Sequence, residues 1–208
     1  MTREEWLEER KKGIGGSDAA TIIGQNPYKS NVDLWEEKTG RKEAEDISNK
    51  PFVLYGTKME PILRESFKIK HPEYEVLHEE NTIIKHPKYP FLFASLDGQL
   101  IDKETGEMGI LEIKTSSVLQ SMQKEKWNEK IPDNYYCQVL HYLNVTGYSF
   151  VQLYAELTYS DDYQALKTFT IKREDVEEDI KLLEKKEIEF WQNYVEKDIR
   201  PPRLLPNI

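Results

Sequence analysis

The segment 95–116 reads SLDGQLIDKETGEMGILEIKTS, and the pattern at its end decides the fold. Glu112 and Lys114 alternate there with Leu111 and Ile113 inside an apolar run. Because successive side chains of a strand point to opposite faces, the two charged side chains are predicted to lie side by side on one face. The two apolar side chains are then directed into the core.

Asp97 ends the apolar run that precedes this strand, fifteen residues before Glu112. If the two strands pair as a hairpin around the turn region 102–109, Asp97 meets Glu112 and Lys114. Taken alone, an acidic residue and a lysine on one strand more often form a solvated ion pair. Here the charges interrupt apolar runs, where an unpaired charge is costly. The combination therefore favours an oxygen-rich site for Mg2+ with a lysine beside it.

Length and composition indicate a globular chain with one hydrophobic core. The 208 residues are expected to form a single domain over 1–208. Within it we expect N-terminal helices in 1–50, a core with the metal site in 51–172 and a C-terminal amphipathic helix in 173–199. No apolar signal region or membrane-spanning run is seen, so the cytoplasm is the expected location. Cys137 is the single cysteine, which excludes a disulfide framework, a zinc ribbon or a four-cysteine iron–sulfur cluster from this chain alone.

The net charge of −9 at first argues against nucleic acid as a partner, since phosphate contacts need Lys and Arg. However, the segment 174–198 holds ten Asp or Glu and four Lys, and so carries six of the nine net negative charges. The rest of the chain is close to balanced. A locally basic groove is therefore allowed.

The periodicity of apolar residues predicts helices on either side of a strand-rich block. One helix is predicted from Thr2 or Glu4 to Arg10, a second begins at a Ser17 cap, and a third begins at an Asn31 cap. A fourth is predicted to begin near Met59 or to bend there, because proline is tolerated only near a helix start and Pro61 follows. Further helices are predicted within 122–147 and over 174–198. Strands are predicted at 74–78, 81–86, 91–101, 108–116, 150–159 and 165–172. A mixed central β-sheet flanked by helices is an α/β or α+β fold.

Four blocks of sequence, in this order and spacing, resemble the phage lambda exonuclease type of viral recombinase nuclease, the YqaJ family of the PD-(D/E)xK superfamily. The resemblance covers nearly the whole chain, and it implies a restriction-endonuclease-like core. The blocks are W-x3-R-x2-GIGGSDAATIIG at 6–24, YGTKMEP at 55–61, SLDG…LEIKT at 95–115 and YYCQVLHYL at 135–143.

The resemblance implies roles for the acidic residues and the lysine. Asp97 and Glu112 are the expected principal metal ligands, with the Ile113 carbonyl and Glu60 as further ligands. Lys114 is expected to orient or deprotonate the attacking water. The expected cofactor is Mg2+, with Mn2+ as the alternative, bound as two ions that activate water and stabilise the leaving oxygen.

The N-terminal block has its own chemistry. The glycine-rich run 13–16 allows close backbone approach, and a helix beginning at Ser17 would offer free N–H groups to a phosphate. In isolation this block reads more simply as a glycine turn with a serine cap. By resemblance, Arg10, Ser17 and Ser95 match a pocket for the terminal 5′ phosphate of DNA.

Gln138 and Tyr142 lie four residues apart, hence on one helical face. The family pattern places Gln138 at the catalytic centre with Tyr142 supporting it, although such a pair alone would more often be a polar surface patch. The four histidines are expected to be structural: His71, His78, His86 and His141.

The leading hypothesis is an Mg2+-dependent 5′→3′ exonuclease in a bacterial or phage-infected cell. It would digest one strand of linear double-stranded DNA and leave 3′ single-stranded tails for a single-strand annealing partner, and the family suggests a homotrimeric ring. The alternatives are a related endonuclease or single-strand nuclease and a non-catalytic DNA-end-binding scaffold. A RecB-like or Cas4-like nuclease with an iron–sulfur cluster is disfavoured by the single cysteine.

Overall fold

The structure is a computed structural model that describes residues 1–160 and 163–204. Its α-helices are α1 (Arg3–Lys11), α2 (Gly16–Ile22), α3 (Asn31–Lys38), α4 (Pro51–Lys70), α5 (Ser121–Lys126), α6 (Asp133–Thr146) and α7 (Glu177–Phe190). Its strands are β1 (Tyr74–Leu77), β2 (Ile84–Lys85), β3 (Phe93–Ala94), β4 (Gly98–Asp102), β5 (Met108–Ser117), β6 (Phe150–Ser160) and β7 (Tyr163–Lys172).

The central sheet has five strands in the order β1-β4-β5-β6-β7. Strands β5 and β6 are parallel, and the other neighbouring pairs are antiparallel. A parallel pair needs a long crossover connection, and α5 and α6 supply it between β5 and β6. Strands β2 and β3 form a separate two-stranded hairpin. The predicted class, a mixed sheet flanked by helices, is confirmed.

Each face of the sheet is covered by helices. On one face, Leu63 and Phe67 of α4 pack in one cluster with Leu111 and Ile113 of β5. On the other face α6 packs against the sheet, with α2, α3 and α7 joining the same cluster. The face that carries Glu112 is therefore as deeply buried as the face that carries Leu111.

The predicted hairpin forms around the metal-site sequence. Gly98 lies opposite Leu111 and Ile101 lies opposite Met108, so the turn falls where it was expected. Asp97 differs from its predicted place: it does not end the preceding strand but lies in the short link between β3 and β4. One step beyond the Gly98 pair, it still faces the Glu112 end of β5.

Two predicted helix caps are wrong by one or two residues. Helix α2 is capped at Gly15, because Asp18 three residues later accepts the Gly15 N–H at 3.2 Å. Ser17 thus lies inside the first turn. Helix α3 is capped at Ser30 and not Asn31, because the Ser30 hydroxyl accepts the Asp33 N–H at 3.2 Å. In both cases an aspartate in the first turn reaches back to the cap.

Three longer elements also have different bounds from those predicted. Helix α4 begins at Pro51 and continues through Pro61, since Pro51 suits the first helical position and tertiary packing tolerates the interior proline. The region 122–147 contains two helices, because Pro132 lies at the start of α6. Over 174–198, a 3-10 turn precedes α7 and a π-helical turn follows it. No helix within the described ranges is long and apolar enough to cross a lipid bilayer.

Candidate active site

Asp97 and β5 are joined by a hydrogen bond from the backbone to the carboxylate. The Ile113 N–H donates to Asp97 Oδ2 at 2.7 Å. The backbone carbonyl of Asp97 accepts from Nε of Arg64 on α4, also at 2.7 Å. Asp97 is thereby fixed between α4 and the strand that carries Glu112 and Lys114.

Glu112 is the most deeply buried acidic group of this cluster, with 1% of the residue exposed. Its Oε1 accepts from Lys114 Nζ at 2.5 Å and from Gln138 Nε2 at 2.8 Å. Its Oε2 is also buried and has no hydrogen-bond partner among the residues that the structure describes. A buried carboxylate oxygen without a donor is unfavourable, so this oxygen calls for a partner that residues 1–160 and 163–204 do not supply.

The burial of these groups shifts their pKa values. Burial, reinforced by the nearby Asp97 charge, raises the pKa of Glu112 to about 8. Burial also raises the pKa of Asp97, although Lys114 and the Ile113 N–H oppose that shift. Burial alone would lower the pKa of Lys114, but the attraction of Glu112 and Asp97 outweighs it and raises that pKa. The cluster is short of positive charge, and a cation would favour its ionised carboxylates.

Glu60 lies on α4 at the edge of the same cluster. Its carboxylate pairs with Arg64 Nη2, one helical turn further along. Burial and the Asp97 charge raise the pKa of Glu60. Arg64 is 8% exposed and holds both Glu60 and the Asp97 carbonyl. The sequence analysis missed Arg64, for which the only signal was its spacing of four residues from Glu60.

The three residues predicted to bind a phosphate lie in one cluster around Trp6. Arg10 Nη2 is 3.4 Å from Ser17 Oγ, and the Arg10 guanidinium lies 4.4 Å from the centre of the Trp6 ring. Trp6 Nε1 donates to Ser95 Oγ at 3.0 Å, and Ser95 in turn donates to the Thr82 carbonyl at 2.8 Å. Trp6 therefore joins Arg10 to Ser95, a role that sequence reasoning did not assign.

Gln138 and Tyr142 lie on the face of α6 that covers the sheet. Gln138 Nε2 donates to Glu112 Oε1 and to the Tyr142 hydroxyl, the latter at 2.9 Å. Tyr142 is 6% exposed, so the pair is not a surface patch. A Cβ added to Gly16 would lie 2.5 Å from the Tyr142 ring. The close approach predicted for the glycine-rich run is thus made, at Gly16, to the protein itself.

All these groups face one cleft of about 630 Å³. It brings together the acidic cluster, the lysine, the α6 pair and the three predicted phosphate ligands. The sequence-predicted residues that line it are Arg10, Ser17, Glu60, Ser95, Asp97, Glu112, Ile113, Lys114, Gln138 and Tyr142.

The carboxylates are not arranged as a ready-made metal cage. Across residues 1–160 and 163–204, no group of three or more His, Cys, Asp or Glu side chains is placed to hold one ion. The reason is visible in the pairing, since Glu60 faces Arg64 and Glu112 faces Lys114. The donor set still suits a hard cation, because Glu112 Oε2 is buried and unpaired within the described chain.

The four histidines have different surroundings. His141 is fully buried between Glu187 and the Phe93 carbonyl, a contact that the sequence did not predict. His78 lines the cleft beside the predicted metal ligands. His71 pairs with Glu73 at 3.0 Å, and His86 lies 3.6 Å from a glutamate of α7.

The fold is shared with exonucleases of known structure. The alkaline exonuclease LHK-Exo of Laribacter hongkongensis is 22% identical, with a TM-score of 0.72 and 94% of each chain covered. Its complex with dAMP gives a TM-score of 0.71 at 21% identity, again covering 94% of each chain. A phage-related exonuclease of Haemophilus somnus 129PT is 13% identical, with a TM-score of 0.58, and covers 90% of this chain and 95% of that one.

The sheet order and the cleft thus define a chain with the alkaline exonuclease fold. The model of the YqaJ-like viral recombinase domain matches residues 5–149, and the chain belongs to that family. The curated Bacillus subtilis (strain 168) protein YqaJ is 37% identical over 94% of this chain. The chain spans 57% of the length of that relative.

Proposed function

We propose that this chain is a metal-dependent exonuclease that hydrolyses one strand of linear double-stranded DNA from its 5′ end. One observation carries the proposal: the Asp97–Glu112–Lys114 cluster and the Arg10–Ser17–Ser95 cluster face the same cleft. An enzyme that cuts within a strand has little use for a terminal phosphate pocket. Family membership and the fold shared with exonucleases support the same activity.

The metal ligands in this proposal are Asp97, Glu112, the Ile113 carbonyl and Glu60. Carboxylate and carbonyl oxygens are the ligands preferred by Mg2+, with Mn2+ as a substitute. Two such ions, when bound, would lower the pKa of a water molecule and stabilise the leaving 3′ oxygen. The unpaired Glu112 Oε2 supports the assignment, because a cation would give this buried oxygen its missing partner.

Lys114 and Gln138 both contact Glu112, and both are assigned roles at the scissile phosphate. Lys114 Nζ lies 2.5 Å from Glu112 Oε1, where its amine can orient or deprotonate the attacking water and offset charge on the phosphate. Gln138 holds Glu112 Oε1 through one amide proton and Tyr142 through the other. Because Lys114 and Gln138 both contact Oε1, the second carboxylate oxygen of Glu112 would be available to hold a cation.

The 5′ phosphate is assigned to Arg10 and Ser17, with Ser95 on the far side of Trp6. Arg10 offers a guanidinium fork that suits a terminal phosphate. Ser95 already donates its hydroxyl proton to the Thr82 carbonyl, so it must rotate before it can donate to a phosphate. The product, a 3′ single-stranded tail, fits a single-strand annealing partner, and a homotrimeric ring in the cytoplasm remains part of the proposal from family resemblance.

The first test is digestion of linear duplex DNA labelled at one 3′ end, with Mg2+ and then with EDTA. We expect progressive loss of one strand with Mg2+ and none with EDTA. Lys114→Ala should slow cleavage by about 10²–10³-fold, as expected for loss of a group that stabilises the transition state. Lys68→Ala is the matched control, because Lys68 pairs with Glu65 on the exposed face of α4 at 2.7 Å.

The outcomes separate the competing activities. Cutting of covalently closed circles would replace the proposal with an endonuclease of this fold. Absence of cleavage with both Mg2+ and Mn2+ would favour a non-catalytic scaffold that binds DNA ends. Wild-type turnover by the Lys114 variant would remove that residue from the mechanism.

A second test addresses the phosphate pocket. Arg10→Ala should reduce the preference for 5′-phosphorylated over 5′-hydroxyl ends by about tenfold or more, because a charge-assisted contact contributes on the order of 1.5–3 kcal/mol. Arg41→Ala is the matched control, since Arg41 also lies 4.4 Å from a tryptophan ring but pairs with Asp198. An unchanged end preference in the Arg10 variant contradicts the pocket assignment.

A further inference from the structure

His141 makes two short hydrogen bonds inside the core. It lies on α6 beside Tyr142, with its side chain fully buried. Its Nδ1 is 2.7 Å from Glu187 Oε1 on α7, and its Nε2 is 2.8 Å from the Phe93 carbonyl oxygen on β3. A carbonyl can only accept, so Nε2 must carry a proton. The bond at Nδ1 then requires one more proton, which is shared between His141 and Glu187.

The Phe93 carbonyl, to which His141 donates, belongs to a backbone segment that leads directly to residues of the cleft. The Phe93 N–H donates to the Ile14 carbonyl at 3.0 Å, so Phe93 is bonded on both sides of its backbone. Ile14 lies three residues before Ser17, and Phe93 lies two residues before Ser95 and four before Asp97. Through one carbonyl, His141 therefore joins α6 to both segments that bring polar side chains into the cleft.

A contribution to the stability of the fold does not by itself explain why His141 and Glu187 are paired in the core. A buried ion pair can often be replaced by apolar side chains of similar volume without loss of stability. Glu187 Oε2 is also buried and lacks a hydrogen-bond partner in the described part of the chain, which is a further cost. An apolar pair could not donate a hydrogen bond to the Phe93 carbonyl, as His141 does.

We propose that His141 is a positioning residue that, with its proton held by Glu187, holds the segment 93–97 in register with Gln138 of α6. Ser95 and Asp97 are placed by this bond, and His141 itself touches neither substrate nor metal. The catalytic part of this inference rests on the proposed nuclease activity, whereas its structural part does not.

The charges around the pair determine how it responds to pH. Burial disfavours the charged ring, but Glu187 and the Phe93 carbonyl outweigh burial and raise the pKa of His141. The stabilisation is complete below the ordinary histidine pKa and is lost as the pH rises through the raised value. The other ionisable groups around the pair are Asp18 on α2, His86 after β2, Glu184 on α7, and Cys137 and Tyr142 on α6.

Two variants separate positioning from stability. Glu187→Gln keeps the shape and lets a neutral His141 accept from the new amide while it still donates to Phe93. The double variant His141→Phe with Glu187→Leu removes both charges and also removes the bond to Phe93. Both should fold, because removing the buried ion pair from the double variant offsets the loss of the bond to the Phe93 carbonyl. The alkaline loss of stability should disappear in both.

The decisive readouts are the cleavage rate and the exchange of one amide. The Ile113 N–H is bonded to Asp97 Oδ2, so its hydrogen exchange reports the position of Asp97 without any need for activity. We expect the double variant to exchange this amide at least tenfold faster and to cleave roughly tenfold more slowly, as for other groups that support a metal ligand. Glu187→Gln should match wild type in both.

Each remaining outcome is informative. Wild-type exchange at Ile113 in a folded double variant overturns the positioning role. If wild type itself does not cleave DNA, the proposed function fails, while the exchange result still tests the role of His141. If the double variant does not fold, Glu187→Gln still tests the pairing: unchanged alkaline loss of stability in that variant would show that Glu187 does not hold the proton of His141, which overturns that part of the proposal.

Discussion

At the scale of single residues, the site has fewer positively charged side chains than carboxylates. Glu60, Asp97 and Glu112 share Arg64 and Lys114. Arg64 has the most constrained geometry, because its Nε and Nη2 atoms contact different partners. A guanidinium makes the two contacts from two nitrogens in a fixed planar geometry, which a lysine with all its donors on one nitrogen does not reproduce.

We therefore expect Arg64→Lys to impair the site although the charge is kept. Loss of one of the two contacts should lower the cleavage rate by about 10–100-fold, the usual effect of disturbing groups that orient metal ligands. Arg41→Lys is the control for the substitution itself, because Arg41 pairs with Asp198 at the surface. A cleavage rate within about twofold of wild type for Arg64→Lys would show that only the charge of Arg64 matters.

Some of these residues could be predicted from the sequence and others could not, because only the former follow from a local pattern. Glu112 and Lys114 follow from strand alternation, which is a local property. Arg64 bonds Asp97 across 33 residues, and His141 bonds Glu187 across 46 residues. Such pairs depend on how the elements pack, so no local pattern indicates them.

At the scale of elements, the packing of α2 against α6 decides whether the Arg10–Ser17–Ser95 cluster lies next to the Asp97–Glu112–Lys114 cluster. Gly16 on α2 touches the Tyr142 ring, and the next residue is Ser17. The sequence indicated close approach at these glycines but not its partner. It also could not indicate that α4 runs through Pro61, because tertiary contacts such as the packing of Leu63 and Phe67 stabilise that helix.

Gly16→Ala tests this contact. The added Cβ would lie 2.5 Å from Tyr142 Cε1 and 3.0 Å from Gln138 Cγ, so the Tyr142 ring or one of the two helices must shift. We expect a loss of about 1–3 kcal/mol in the free energy of unfolding, the usual result of overpacking. The measurement is urea unfolding followed by circular dichroism.

Gly56→Ala is the matched control for that substitution. Gly56 lies inside α4, and its added Cβ would lie 3.3 Å from Thr115 Oγ1 of β5, a hydroxyl that has to shift by a few tenths of an ångström. Alanine favours a helix over glycine by about 1 kcal/mol, so this variant should be as stable as wild type or more stable. If Gly16→Ala unfolds at the same urea concentration as wild type, the α2–α6 contact does not limit stability.

At the scale of the whole molecule, the net negative charge disfavours the binding of a polyanion unless cations are added. The chain carries a net charge of −9, and the cleft itself is lined by five carboxylates and four Arg or Lys side chains. The proposed DNA substrate would therefore enter a cleft with no excess of positive charge. A divalent cation would reverse that balance, so the proposed cofactor would serve binding as well as chemistry.

Divalent cations should therefore stabilise the fold before any DNA is present. A ligand that binds only the folded chain stabilises it by about 2.7 kcal/mol at 100 times its Kd, which corresponds to about 5–10 °C for a chain of this size. Ca2+ or Mg2+ should therefore raise the unfolding temperature in a thermal-shift measurement. Glu112→Gln should abolish the rise, whereas Glu65→Gln, at an exposed acid of α4, should leave it intact. If the wild-type chain shows no rise with Ca2+, Mg2+ or Mn2+, Glu112 does not hold a metal, and its unpaired oxygen must be explained by a different ligand.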